Sequence, residues 1–148
     1  MAFRFSLAPV LRYRQSREDQ ERLRLQALYT RRAALARELE QTREAWQRSH
    51  RSVRQHLQQG LALAVEFQFC TASLAGSERR QQQLRAGLLQ LQPEIAAATQ
   101  RYHQERQKRE LLESLRDLQF SEYRLQQRRR EQAALDELHL LRRYPKRA

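Results

Sequence analysis

Apolar residues recur at alternating intervals of four and three along most of this chain. That spacing restricts it to long helices that bury a single stripe. From Leu7 the frame reaches Leu11, Arg14, Glu18, Glu21, Leu25, Leu28, Arg32, Leu35, Leu39, Thr42, Trp46, Ser49 and Val53. Eight of these are clearly apolar, and Arg14, Glu18, Glu21 and Arg32 interrupt the stripe. The interruptions predict weak packing near the start, or packing of those charged positions against an outside partner. A second frame reads Leu84, Leu88, Leu91, Ile95, Ala98 and Tyr102. Near Arg109 the leucines change frame, and Leu111, Leu115, Leu118 and Leu125 carry the stripe onward with Phe120 and Tyr123 beside it. A shift of this kind predicts a stutter, which alters the supercoil locally.

Between the two segments stands Gly60, followed by a stretch through Phe69 whose one charge is Glu66. The chain is expected to reverse here. Helix one then covers about 5–59, the turn about 60–66, helix two about 67–143, and a basic tail 144–148, all as one coiled-coil domain. Gly76-Ser77 is the alternative turn. Pro9 falls in the first helical turn, where its missing N–H costs little. Pro93 predicts a kink in helix two, since Leu91 and Ile95 keep register across it. Folding about residue 62 brings Leu7 toward Leu118, Phe3 and Phe5 toward Phe120 and Tyr123, and Trp46 toward 77–81. The fold class is all-α, a long two-helix antiparallel hairpin, with about 55 helical residues in helix one giving a length of roughly 80 Å. Helix two is expected to extend beyond helix one.

Composition agrees with this reading. The 148 residues include only 3 Gly and 3 Pro, and 31% are charged while 40% are hydrophobic. That is too apolar for a wholly disordered chain and too polar for a thick core. No apolar run approaches the length that spans a bilayer, and no secretory core follows the N-terminus, so a cytoplasmic protein is expected. The net charge of +12 draws acidic partners. Its arginines are scattered among Glu and Gln, with clusters at Arg31-Arg32, Arg79-Arg80, Arg128-Arg129-Arg130 and Arg142-Arg143. A leucine-zipper DNA reader instead runs a dense basic region directly into heptads. No specific nucleic-acid partner is therefore expected. A basic nucleic-acid-binding coiled coil, marked by salt-sensitive duplex binding, stays as the alternative, and a parallel homodimeric rod as a third reading.

Catalytic and metal motifs are missing from the sequence. His50 and His56 fall on different helical faces, and His103 and His139 have no partner pattern. Cys70 reads as a small buried residue on helix two. Glu105, Glu110, Glu113 and Asp117 read as surface partners of arginines one helical turn away. Phe67 and Phe69 flank the turn, where a helical tip has little core to hide aromatics in. The expectation is a protein-binding rod, not an enzyme, with no cofactor.

The two ends of the chain resemble the flagellar export protein FliJ family. The opening Phe3-Arg4-Phe5-Ser6-Leu7-Ala8-Pro9-Val10-Leu11-Arg12 is similar to that family's start. The run Arg130-Glu131-Gln132-Ala133-Ala134-Leu135-Asp136-Glu137 is similar to its late segment. The resemblance implies a component of the flagellar type III export apparatus, serving motility, with an antiparallel hairpin like the stalk of rotary ATPases. It implies three partners: the export ATPase ring, whose assembly it promotes; an FlhA-type export gate; and export chaperones, which it escorts. The implied location is cytoplasmic, peripheral to the inner membrane at the flagellar base, with a monomer or weak dimer when alone. For the ATPase end it implies Phe3, Phe5, Leu7, Val10, Leu11 and the region around Leu135 to Arg143, with Leu138 and Arg142, and the polar character of the seam there adds Arg14 and Arg17 as expected ring contacts. For the gate it implies Leu39, Trp46, Phe67 and Leu74. The stalk of a virulence-type injection system shares this architecture and is the near alternative.

Overall fold

The computed structural model describes residues 3–60 and 64–143. Within them lie two α-helices, α1 (Ala8–Gln59) and α2 (Ala64–Arg143), and no strand. Part of the expected turn and the whole of the tail 144–148 fall outside the described residues. Both helices are dominated by Leu, Arg, Gln, Glu and Ala, which lose little freedom in a helix. Pro9 occupies the first turn of α1, as its spacing predicts. Gly60 ends α1 with φ +66°, the left-handed conformation in which glycine escapes the Cβ penalty. The helix α2 begins at Ala64, a few residues before the expected 67, with Glu66 in its first turn and Arg142 and Arg143 in its last. Those signs suit the helix dipole. It runs unbroken through Gly76 and Ser77, which excludes the alternative turn, and through Pro93, which does not split it.

The chain forms two compact units, Met1–Asp19 with His103–Ala148, and Gln20–Tyr102. In Gln20–Tyr102 the two helices pack with the expected spacing. Leu84, Leu91, Ile95 and Ala98 are buried along α2, with Leu91 and Ala98 almost completely so. Leu25, Leu28, Leu35, Leu39, Thr42, Trp46, Ser49 and Val53 line the facing side of α1, half-buried. Arg32 is the exception in that frame. It is exposed and lies over the Tyr29 ring at 4.9 Å. Cross-helix pairs set the register: Glu38 accepts from Arg80, and Trp46 Nε1 donates to Glu78 at 3.3 Å. Trp46 thus meets the segment expected for it.

The first-named unit joins the beginning of α1 to the latter part of α2. Leu11 is buried, and Phe3 packs on Phe120 and Tyr123 with ring centroids 5.3 and 5.6 Å apart. This matches the pairing expected from a turn near residue 62. The expected stutter is overturned. The inward positions of α2 here are Glu105, Arg109, Leu112, Arg116, Gln119 and Tyr123, which continue the same four-three count. Leu111, Leu115, Leu118 and Leu125 are exposed. Charge decides the frame. Arg14 pairs with Glu105 at 3.5 Å, and Arg109 donates to Glu18. The polar residues of α1 find their complements on α2, whichever face carries more leucine. From Arg128 to Arg143 every residue is exposed.

Arg14, Glu18 and Glu21 are therefore spoken for within the protein. Glu21, in the other unit, is 3% exposed, with Arg24 at 2.6 Å and Arg101 at 3.5 Å. Its Oε2 makes no hydrogen bond. Arg14, Glu18 and Glu21 do not form the outward-facing patch that the interruptions leave open. Glu105 is likewise a buried seam residue and not a surface partner, whereas Glu110 and Glu113 do pair one turn away, with Arg106 and Arg109.

Candidate protein-interaction surfaces

Two regions expose apolar side chains where a coiled coil would ordinarily present charge. The first flanks Gly60, in Gln20–Tyr102. Val65, Phe67, Phe69 and Leu57 are all exposed, Phe69 to 76%. Val53, His56, Val65, Phe67, Phe69 and Cys70 line a mostly apolar cleft of about 400 Å³ between the helices. Cys70 is half-buried at the start of the α2 seam. A few turns on, Trp46 stacks on His50 with centroids 4.9 Å apart.

Of the four residues implied for the gate, Phe67 belongs to this exposed cluster. Leu39, Trp46 and Leu74 are half-buried seam residues that face the other helix as well as solvent. Val65 and Leu57 complete the cluster and escaped sequence reasoning. The low charge around Gly60 is the signal for them, and it marks a turn as readily as an apolar surface.

The second region is in Met1–Asp19 with His103–Ala148. Phe3, Phe5 and Leu7 are half-buried and Leu11 is buried, so these hold the end together. Val10 and Tyr13 are exposed on α1, and Leu135, Leu138, Leu140 and Leu141 on α2. Arg142 is exposed, and Arg17 is half-buried. Arg14 is engaged with Glu105. The hydrogen bond from Lys108, at 2.9 Å, together with the nearby Arg14 and Arg17, holds the Glu105 carboxyl below its ordinary range despite burial. The Arg109 guanidinium is pushed above its ordinary range, chiefly by its hydrogen bond to Glu18. Both shifts favour the charged forms, so the ionic layer is fully formed near neutrality.

No group of three or more His, Cys, Asp or Glu side chains among the described residues could hold a metal ion. No described helix is long and apolar enough to cross a membrane. What the fold and its surfaces define is an all-α helical hairpin with exposed apolar patches. The sequence model of the flagellar FliJ protein matches residues 3–148, and the chain belongs to that family. No curated protein and no solved structure matches it. Membership ties the chain to the flagellar export machinery.

Proposed function

We propose that this protein is the stalk of the flagellar type III export ATPase, acting as a single coiled-coil domain. In this reading it enters the ring with the end built from Phe3, Phe5, Leu7 and Leu11. Val10, Arg17, Leu135, Leu138 and Arg142 touch ring subunits, and Arg14 fixes the end through Glu105. The observation that carries the reading is the family match across residues 3–148, joined to an end that leaves Val10, Leu135 and Leu138 uncovered. A helical hairpin that binds the assembled ring better than free subunits shifts the equilibrium toward the ring. The cluster around Phe67, with Trp46, Leu39 and Leu74, meets an FlhA-type gate, and the protein escorts export chaperones. It works at the cytoplasmic face of the inner membrane, peripherally, and carries out no catalysis itself.

Mixing the protein with the export ATPase of its own organism tests this directly. Hydrolysis and hexamer content should rise together. Leu135→Asp with Leu138→Asp should abolish the rise without lowering the protein's helicity. Stimulation that survives this double variant would remove the assigned end from the reading.

A further inference from the structure

The leucines displaced from the seam form a second row on α2. Leu111, Leu115, Leu118 and Leu125 follow a four-three-seven count and are 71%, 38%, 57% and 50% exposed. The row sits one residue out of step with the seam (Leu111 beside Leu112), which is roughly 100° around the helix. The beginning of α1 covers the seam and leaves the row bare. Four leucines at this spacing, all outward, are the anchor pattern of one helix receiving another.

The surroundings say what kind of helix. Tyr123 to Arg130 contains Arg124, Arg128, Arg129 and Arg130 and no carboxylate. Arg124 lies over the Phe120 ring at 5.9 Å. A shallow groove of about 410 Å³ runs beside Leu125, lined by Phe120, Ser121, Arg124 and Arg128, with Glu122 its one carboxylate. Extended by heptads, the row places Glu122 and then Arg129 in line with the leucines. A second copy of this chain is a poor occupant. Parallel pairing stacks Glu122 on Glu122 and Arg129 on Arg129. Antiparallel pairing that matches Leu115 to Leu125 sets Glu122 against Leu118 and Arg129 against Leu111, burying charges without partners. A helix that sets one lysine of its apolar face against Glu122 and brings carboxylates to Arg128 and Arg129 pairs both charges and gains charge-assisted hydrogen bonds.

We propose that the Leu111–Leu125 row is a docking surface for an amphipathic helix of a partner protein, apolar on one face and acidic along its flanks. This surface is separate from the residues assigned above to the ATPase ring and the gate. The contact is short, so binding is micromolar and salt-sensitive.

The test uses the full-length protein and a labelled synthetic helix of four heptads, with leucine at the core positions except one central lysine placed to meet Glu122, and glutamate along the flanks. A second probe carries lysine on the flanks. Fluorescence anisotropy should show the glutamate helix binding and the lysine helix at least tenfold weaker. Leu118→Asn with Leu125→Asn should weaken the glutamate helix at least tenfold, as should Arg128→Glu with Arg129→Glu. Helicity and melting temperature should not change, because these side chains are exposed. Leu57→Asn with Phe69→Asn should leave binding intact. Equal binding of the two probes, or binding unaffected by the leucine variant, overturns the proposal. So does sedimentation showing that the free protein dimerises and that the leucine variant abolishes the dimer, since the occupant is then a second copy.

Discussion

Replacing Glu21 by leucine should make this protein more stable. The carboxylate sits on the seam at 3% exposure, yet both its partners are well hydrated, the Arg24 and Arg101 side chains being 63% and 53% exposed. Ion pairs to such arginines contribute ~0.2–1 kcal/mol each, and Glu21→Leu loses both. Against this, the substitution removes a buried oxygen that makes no hydrogen bond, its nearest cation being the Arg101 Nε at 3.5 Å, relieving ~1–3 kcal/mol. It also buries an apolar side chain in a four-three frame that Leu25 and Leu28 already follow, worth ~1.5–3 kcal/mol. The freed arginines stay in water, so no uncompensated buried charge is left behind. Taking the lower halves of the favourable ranges, because the seam has only one layer, the net gain is about 2 kcal/mol. For a protein of this size that raises the melting temperature by ~4–8 °C. Circular dichroism at 222 nm, followed through heating and through urea, measures it. Glu21→Gln serves as the control: it keeps the shape and the buried polar atoms and should be neutral or destabilising. A Glu21→Leu protein that melts below the parent would refute the reasoning. It would show that the carboxylate between two half-exposed arginines is a net asset, and that burial of a charge is not the dominant cost at this layer.

Three further outcomes follow from packing, backbone and charge. Leu91→Ala, at the most completely buried large side chain, should cost about 2–5 kcal/mol in urea unfolding. Gly76→Ala and Gly87→Ala should each stabilise by ~1 kcal/mol through helix propensity. A Cβ at Gly76 meets nothing within 4 Å, and one at Gly87 makes ordinary contact with Leu35 at 3.5 Å. Gly60→Ala should destabilise by ~1–2 kcal/mol, since its φ of +66° penalises a Cβ. Finally, Glu105 has its pKa lowered in the folded protein, so the unfolded chain takes up its proton first as the pH falls. Stability from this group is complete above the ordinary glutamate value of about 4.3 and is lost as pH drops through the folded value. Melts between pH 7 and pH 3 should show it, and Glu105→Gln should flatten that part of the acid limb.

Much of the fold could be read from the residues, because a heptad count needs no knowledge of the partner helix. Gly60 marked the end of α1, and folding about residue 62 correctly placed Phe3 on Phe120 and Tyr123 and Trp46 beside Glu78. The failure came where packing is ionic. Counting leucines moves the stripe to Leu111, Leu115 and Leu118, while the protein turns Glu105 and Arg109 to the facing helix. Apolar periodicity carries no information about which charges will meet, and Arg14 and Glu18 looked like gaps when they were half of the contact. The surface around Gly60 was partly legible through Phe67 and Phe69. Val65 and Leu57 were not, because an exposed aliphatic residue and a buried one look the same in a helical pattern until the facing helix is in place.

The near-completely buried Leu91 and Ala98 lie on a seam that takes only two residues of every seven. Most of the other five, apart from flanking pairs such as Glu38 with Arg80, answer to little internal constraint beyond staying helical. Such a molecule separates what keeps it standing from what it greets. Its outer faces can be rewritten, one partner at a time, while the two helices go on holding each other in the same alignment.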